Sequence, residues 1–308
     1  MKYLTLIRYQ NLLFLAIMQL VFRYGFLELQ NVSLALAYWQ YGLLVLSTLL
    51  IAAGGYVINN IFDQDTDAIN KPNQVVVGKT IPETTAYTIY MGLTVTGVAI
   101  GFYLSNVIQR PSFATLFILI AATLYFYATS LKQMLLIGNI VVALLLSISV
   151  LVIGVFDIFP ATDASNQQQM RNLFSILWDY AVFAFMINFI REIVKDLEDL
   201  DGDYQQGMST LPIVLGVSRT TKIVFGLSCV PVLVLLNYIN TYFVPNNLML
   251  ITAYSFAFIA APLLYFSIQI WSAKTTKAFH HLSTILKLIL LFGLFSIALL
   301  MYTIQHHA

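Results

Sequence analysis

Long apolar runs separated by short polar segments are the dominant pattern of this chain. Nine runs are long enough to cross the roughly 30 Å hydrocarbon core of a bilayer, which takes about 20 helical residues. The predicted spans are 10–29, 36–60, 84–106, 112–130, 134–156, 172–193, 219–240, 246–271 and 282–304. The pattern therefore predicts an all-α polytopic membrane protein, a nine-transmembrane-helix bundle that forms a single domain over residues 1–308.

The basic residues test this arrangement, because Lys and Arg collect in the cytoplasmic segments of membrane proteins. With nine spans and a cytoplasmic N-terminus, 12 of the 15 basic residues fall on the cytoplasmic side. These are Lys2, Arg8, Lys71, Lys79, Lys132, Arg191, Lys195, Arg219, Lys222, Lys274, Lys277 and Lys287. An eight-helix arrangement would scramble this sorting. We therefore expect the N-terminus inside, the C-terminus outside, and residues 157–171 in a polar outside loop.

Composition narrows the class further. The chain is 59% hydrophobic and only 9% charged, whereas a soluble domain has about 25% charged residues. A net charge of +1 gives no indication of a nucleic-acid partner. The single cysteine, Cys229, excludes an internal disulfide and a cysteine-rich metal site.

Two acidic clusters, at residues 59–67 and 195–203, hold most of the chain's 14 carboxylates. Both are expected on the cytoplasmic side, after the second and sixth spans, where they can face each other. Carboxylates near a bilayer are costly, so packing alone does not explain them. Any single acid here could be a solvated loop residue without a function. That explanation does not suit two matched clusters of acids.

The spacing inside the clusters indicates a shared metal site. Asn59, Asp63 and Asp67 are four residues apart, as are Asp199 and Asp203, which places each set on one helix face. Mg²⁺ prefers carboxylate oxygens together with water and a substrate phosphate. Two such sets could hold Mg²⁺ ions around a diphosphate and make it a better leaving group.

Other residues near the clusters divide into cations that could bind phosphate and acids that lie off the helix face. The cations and their polar neighbours are Arg8, Asn11, Lys71, Lys79, Lys132, Arg191 and Lys195, with Tyr127 before Lys132. Asp65, Glu198 and Asp201 lie off the face and are expected to be solvated or to support the ligands.

These residues resemble the UbiA superfamily of intramembrane prenyltransferases, which carries the two motifs N-D-x-x-D-x-x-x-D and K-D-x-x-D-x-x-x-D. The matching positions are Asn59, Asn60, Asp63 and Asp67, then Lys195, Asp196, Asp199 and Asp203. Further matches are Arg8 with Asn11, Asn70-Lys71-Pro72, Tyr127 with Lys132, and Gly138-Asn139. Asn60 departs from the pattern, which has Asp at that position.

The resemblance implies a nine-helix bundle that uses Mg²⁺ to transfer a polyprenyl group from its diphosphate to a lipid-phase acceptor. It implies that the metal ligands are Asn59, Asp63, Asp67, Asp196, Asp199 and Asp203. Asp63, Asp67, Asp199, Asp203 and Lys132 would be catalytic, and Arg8, Asn11, Lys71, Lys79, Tyr127 and Lys195 would bind substrate. Residues 69–72 and 191–196 look most like the branch that prenylates geranylgeranylglyceryl phosphate.

Other functions are left open by the residues. The acceptor could be an aromatic quinone precursor in place of a prenyl glyceryl phosphate. A divalent-cation transporter would place its acids in mid-membrane, and a CDP-alcohol phosphotransferase would carry an Ala-Arg element that neither cluster has. A prenyl-lipid-binding protein with a vestigial site would not keep intact metal motifs. We expect an integral protein of the inner (cytoplasmic) membrane, in contact with membrane lipid, whose site opens to the cytoplasm.

Overall fold

The structure is a computed structural model that describes residues 2–72 and 75–307. Within these residues, nine helical segments are long and apolar enough to cross a membrane, as predicted. They are Tyr9–Gln30, Tyr38–Phe62, Glu83–Val107, Pro111–Thr129, Ile137–Ala161, Gln167–Glu198, Val217–Phe243, Met249–Ser272 and Thr276–Gln305. The predicted spans agree with these segments to within a few residues at most ends.

Fourteen α-helices build these segments and the short elements between them in the described chain. They are α1 (Lys2–Leu6), α2 (Tyr9–Phe22), α3 (Tyr38–Phe62), α4 (Gln64–Asn70), α5 (Glu83–Val107), α6 (Ala114–Thr129), α7 (Ile137–Ile153), α8 (Gln167–Glu198), α9 (Leu200–Gln205), α10 (Leu211–Leu215), α11 (Val217–Tyr238), α12 (Met249–Ser255), α13 (Ala261–Ser272) and α14 (Thr276–His307). Segments of π-helix extend α2, α7 and α11 and join α12 to α13.

Close helix pairs hold the bundle together. Helix α3 packs along α5, α7 along α8, and α8 along α14. Small residues permit the closest approach: a Cβ atom on Gly55 of α3 would lie 2.9 Å from the side chain of Leu124 on α6. Close packing of this kind drives helix association in lipid, where the hydrophobic effect between helices is absent.

The two acidic motifs sit at matching breaks in the second and sixth spans. Helix α3 ends at Phe62 and α8 ends at Glu198, and the residues that follow them, Asp63 and Asp199, have nearly equal φ angles of −95° and −97°. A short helix, α4 or α9, follows each break, and these two short helices pack against each other. The breaks therefore bring both motifs to one end of the bundle.

The opposite end holds a buried ion pair that corrects one prediction. Asp157 was expected in a polar outside loop, but its side chain is fully buried in the π-helical extension of α7. It pairs with Arg23, and the backbone N–H of Leu36 donates to its second oxygen at 3.0 Å. A carboxylate satisfied in this way no longer has to face water, so the helix continues past the predicted end at residue 156.

Candidate active site

The first motif presents its polar side chains one helical turn apart. The backbone N–H of Asp63 donates to the carbonyl of Asn59 at 2.9 Å, and that of Asp67 donates to the carbonyl of Asp63 at 2.8 Å. These bonds run from residue i to i−4, as in a continuous α-helix, so the three side chains stay one helical turn apart across the break between α3 and α4. The side chains of all three residues line one cavity.

The second motif repeats this arrangement from the facing wall. The N–H of Asp199 donates to the carbonyl of Lys195 at 2.8 Å, and the N–H of Asp203 donates to that of Asp199 at 3.2 Å. Asp196 lies one turn further into α8, where the Asn139 amide donates to its Oδ2 at 2.8 Å. Asp196, Asp199 and Asp203 line the same cavity as the first motif.

Two lysines tie the motifs to other elements. Lys132 forms an ion pair with Asp63, and Lys71 forms one with Asp199 across the cavity at 2.7 Å. We call this part of the cavity the acidic end: Asp63, Asp67, Asp196, Asp199 and Asp203 with Lys71 and Lys132. With five carboxylates and two ammonium groups, the acidic end carries uncompensated negative charge.

Two adjacent residues at the start of α7, Gly138 and Asn139, help to position Lys132 and Asp196. This lysine lies in a short turn, Leu131–Gln133, between α6 and α7. A Cβ atom on Gly138 would lie 2.8 Å from the Lys132 Cα, so only glycine permits this approach. The next residue, Asn139, holds Asp196 of the second motif. The Gly138-Asn139 pair therefore serves both walls of the cavity.

Asn70 joins the two short helices directly. Its side-chain amide donates to the carbonyl of Asp199 at 2.9 Å, and its oxygen accepts from the N–H of Gly202 at 2.9 Å. A Cβ atom on Gly202 would collide with this amide. We call this pair of hydrogen bonds the Asn70 clasp, and it fixes the register of the two motifs.

Burial and the excess of negative charge raise the pKa of two carboxyl groups that lie outside the membrane-spanning helices. Burial, followed by the nearby carboxylates of Asp199 and Asp63, raises the pKa of Asp203 to about 7. Burial and the carboxylate of Asp63 also raise the pKa of Asp67 above its ordinary value. Both carboxyl groups would be stabilised as carboxylates by an added cation.

The residues of the acidic end fit a Mg²⁺ ion that shares its coordination with a ligand. Within the described part of the chain, no three Asp, Glu, His or Cys side chains converge closely enough to hold a metal alone. The amide oxygen of Asn59 is buried and accepts no hydrogen bond, while its nitrogen donates to Asp63. Mg²⁺ takes few protein oxygens and completes its shell with water and phosphate, so this donor set suits it.

The other polar part of the cavity has the opposite charge. We call it the basic end: Arg8, Arg191, Lys195 and Lys287 with the single carboxylate Glu192. Glu192 is buried and accepts from the Lys195 ammonium at 2.9 Å and from Arg191 at 3.4 Å. The Lys287 ammonium reaches the Asn11 amide oxygen at 3.2 Å.

Arg8, which belongs to the basic end, has a left-handed backbone conformation. It lies between α1 and α2 with φ 49° and ψ 54°, a left-handed conformation that is uncommon outside glycine. Its guanidinium lies 5.4 Å from the centre of the Tyr56 ring. The Arg8 charge acts on both Asp67 and Glu192, so it faces both ends of the cavity.

The remaining wall of the cavity is apolar. The cavity has a volume of about 430 Å³ and extends along α2 from Asn11 to Phe22. Leu124, Leu146 and Leu294 are among the side chains that line it. Phe22 and Tyr180 meet edge to face in this wall, with 5.3 Å between their ring centres. An amphiphilic molecule with an anionic head and a hydrocarbon tail matches this division.

Most of the residues expected from the sequence meet in this cavity. Arg8, Asn11, Asn59, Asp63, Asp67, Lys71, Tyr127, Lys132, Lys195, Asp196, Asp199 and Asp203 all line it. Lys79 is not brought to the cavity: its exposed ammonium donates to the carbonyl of Pro72 at 3.0 Å. Asp65 and Asp201 are exposed, and Glu198 lies 2.9 Å from His280, so these three acids lie off the shared face as predicted.

Four further residues contribute to the site without having been assigned a role from the sequence. Asn70 and Asn139 were noted only as parts of the family resemblance. Glu192 lies one turn before Asp196 on α8, a spacing that could have indicated a shared face. Lys287 was counted as a cytoplasmic charge, although its place within an apolar run is a signal for function.

The model of the UbiA prenyltransferase family matches residues 24–291 of this chain. The digeranylgeranylglyceryl phosphate synthase of Thermococcus gammatolerans is 34% identical over 183 residues, 58% of each chain. The enzyme of the same name from Sulfolobus acidocaldarius is 35% identical over 191 residues, 60% of this chain and 61% of that one. The matched regions thus span less than two thirds of these relatives.

Solved structures share the fold over nearly the whole chain. A structure from a study of digeranylgeranylglyceryl phosphate synthase in membranes has a TM-score of 0.65 at 22% identity, covering 97% of this chain and 96% of that one. A UbiA homologue from Archaeoglobus fulgidus bound to DMAPP and Mg²⁺ has a TM-score of 0.61 at 17% identity, covering 96% of this chain and 99% of that one. At these identities the likeness concerns the fold.

Proposed function

The chain belongs to the UbiA prenyltransferase family, and we propose that it uses Mg²⁺ to transfer a polyprenyl group from its diphosphate to a lipid-phase acceptor. The observation that carries the proposal is the single cavity in which both acidic motifs face each other above an apolar wall. A prenyl diphosphate has the same division, since its head is strongly anionic and its tail is hydrocarbon.

The acidic end would hold the metal and the diphosphate. Asn59, Asp63, Asp67, Asp196, Asp199 and Asp203 supply the oxygen ligands that Mg²⁺ prefers. When bound, Mg²⁺ neutralises the charge that develops on the leaving diphosphate. This assignment is consistent with the homologue bound to DMAPP and Mg²⁺.

The lysines of the acidic end would move from carboxylates to phosphate oxygens. In the structure Lys132 pairs with Asp63 and Lys71 pairs with Asp199. Once Asp63 and Asp199 serve as metal ligands, the Lys132 and Lys71 ammonium groups would be free to donate to oxygens of the diphosphate. Charged hydrogen bonds from lysine to phosphate are strong in a partly buried site.

The reaction itself needs positioning and exclusion of water more than covalent chemistry by the protein. The bond between the prenyl C1 and the diphosphate oxygen breaks, the acceptor oxygen bonds to C1, and the acceptor's hydroxyl proton passes to the released diphosphate. Water would compete with the acceptor for C1, and the apolar wall of the cavity keeps water away. Tyr127 and Phe183 line the cavity, and aromatic rings can stabilise positive charge on the prenyl group.

For the substrates, we propose geranylgeranyl diphosphate as donor and geranylgeranylglyceryl phosphate as acceptor. The support is the name shared by the relatives, digeranylgeranylglyceryl phosphate synthase, at 34% and 35% identity. We also propose that the site opens to the cytoplasm from the inner membrane, since the basic residues sort to the motif end of the predicted spans.

One assay tests the proposal. Purified protein would be incubated with Mg²⁺, labelled geranylgeranyl diphosphate and either geranylgeranylglyceryl phosphate or an aromatic quinone precursor. We expect a doubly prenylated glyceryl phosphate as the product and no product in EDTA. Prenylation of the aromatic acceptor alone would overturn the acceptor assignment, and full activity in EDTA would overturn the metal assignment.

A further inference from the structure

Cations crowd the part of the cavity that the metal motifs do not occupy. We propose that the basic end is a second anion subsite, which binds the phosphomonoester of the acceptor through Lys287, Arg191, Lys195 and Arg8. This inference rests on the proposed function. It adds a role for Lys287, assigns Arg191 to the acceptor, and names the chemical group that selects the acceptor.

Lys287 is the strongest single observation. It lies eleven residues into α14, about 16 Å along the helix axis. Among the described residues it forms no ion pair, and its ammonium reaches only the amide oxygen of Asn11 at 3.2 Å. An unpaired ammonium inside a membrane helix is costly, and such residues mark ligand pathways. The next turns of α14 present Leu290 and Leu294 to the same cavity.

The basic end contains more positive than negative groups. Its four cations share one carboxylate, Glu192, within that part of the cavity. Lys287 and Arg191 are close enough for their charges to repel each other. The Arg191 Nε is buried without a hydrogen-bond acceptor, so one side of its guanidinium fork is free. A phosphomonoester dianion would relieve the repulsion and accept a forked pair of bonds from Arg191.

The geometry also separates this subsite from that of the donor. Glu192 and Asp196 are one turn apart on α8, about 5.4 Å along the axis, so the basic end begins where the acidic end stops. In a glyceryl phosphate, the hydroxyl that attacks lies two carbons from the phosphate ester oxygen. A phosphate on the basic end would therefore place this hydroxyl beside a prenyl diphosphate held by the acidic end.

The test uses the full chain in lipid nanodiscs and compares three variants. Lys287→Gln removes the charge, Lys287→Arg keeps it, and Lys277→Gln removes an exposed charge from the same helix as a matched control. Binding of geranylgeranylglyceryl phosphate, of its dephosphorylated alcohol and of inorganic phosphate would be measured for each protein. Turnover would give the KM for donor and acceptor separately.

We expect Lys287→Gln to weaken binding of the phosphorylated lipid at least tenfold and to raise its KM to the same extent. Binding of the alcohol and the KM of the donor diphosphate should change less than twofold. Lys287→Arg should recover most of the affinity, and Lys277→Gln should behave as the wild type. Inorganic phosphate should bind far more weakly than the lipid, because it lacks the tail, yet show the same loss.

Several results would overturn the inference. Equal losses for the phosphorylated lipid and the alcohol would make Lys287 a structural residue. A raised donor KM would assign the subsite to the donor diphosphate. If Lys287→Gln does not purify as a folded protein, Arg191→Lys replaces it, since this change keeps the charge but removes the fork, and an unchanged affinity would then count against the subsite. Wild-type binding of the phosphorylated lipid without transfer would contradict the proposed reaction while leaving the subsite in place.

Discussion

The acidic end and the basic end of the cavity bind charge in opposite ways. The acidic end has five carboxylates on two matched helix breaks, and each lysine there already has a carboxylate partner. The basic end draws its cations from the start of α2, from α8 and from α14, and Glu192 is its one acid. The first end needs added cations and the second needs an added anion. We therefore expect the leaving group to bind at the acidic end of the cavity and the acceptor to bind at the basic end.

The largest effect should come from the carboxylates of the acidic end. Asp63→Ala or Asp199→Ala should lower kcat by roughly 100-fold or more, since electrostatic stabilisation of a leaving group is worth that much. Single-turnover kinetics with saturating Mg²⁺ would measure it. Asp65→Ala is the matched control, because Asp65 belongs to the same motif but is exposed. Wild-type rates in either Asp63→Ala or Asp199→Ala would remove the functional distinction between the two ends.

A smaller effect should follow from removing the lysine that bridges to the first motif. Lys132→Gln should raise the donor KM and lower kcat, each by about tenfold, as expected for loss of one charged hydrogen bond. The acceptor KM should stay constant, the reverse of the pattern for Lys287→Gln. Steady-state kinetics with both substrates varied would show this, with exposed Lys274→Gln as control. If the Lys132 and Lys287 variants changed the same kinetic constants, the two lysines would belong to one subsite.

The Asn70 clasp should contribute to stability more than to chemistry. Gly202→Ala forces a Cβ atom into the Asn70 amide, and Asn70→Ala removes both hydrogen bonds. Each change should cost about 1–2 kcal/mol, seen as a lower midpoint of thermal unfolding in detergent. Gly226→Ala is the control, since a Cβ there meets no neighbour within 4 Å. An unchanged midpoint in both clasp variants would show that the motifs keep their register by other contacts.

The smallest effect is a pH dependence confined to the acidic end. The pKa of Asp203 is raised from 3.8 to about 7 in the folded, metal-free protein. Ionising this carboxylate therefore lowers the stability of the metal-free fold as the pH rises from about 4 to about 7, and bound Mg²⁺ offsets that loss. We expect Mg²⁺ to raise the unfolding midpoint more at pH 8 than at pH 6. Asp203→Asn should give equal increments at both values, and a persistent difference would assign the titration to another group.

The nine spans and the shared faces of the acidic motifs could be predicted because each rests on local patterns. Twenty apolar residues define a membrane helix without reference to its neighbours, and the i, i+4 spacing of Asp63 and Asp67 fixes one face. The helix breaks at Asp63 and Asp199 could not be predicted from spacing alone, since the i−4 hydrogen bonds continue through them.

Two side chains, those of Asp157 and Lys287, take their places through contacts with residues that are distant in the sequence. Asp157 looks like a loop residue until Arg23, 134 residues away, neutralises it in the interior. Lys287 is predicted from the sequence only as a cytoplasmic charge, and its place in the cavity follows from α14, which brings it 3.2 Å from Asn11. Lys79 is a different case, because its ammonium donates to the carbonyl of Pro72, which is only seven residues away. The packing of distant helices decides the first two cases.

The two lysine pairs also differ in how much of the chain must be synthesised before they can form. Lys132 follows Asp63 by 69 residues, so this pair is available once the fourth span has entered the bilayer. Lys71 precedes Asp199 by 128 residues and must wait for the sixth span to emerge from the ribosome. A nascent chain that stops between these points holds one neutralised carboxylate and one lysine without its counterion. Insertion of the sixth span is therefore the step of biogenesis at which the cavity first acquires its second acidic wall.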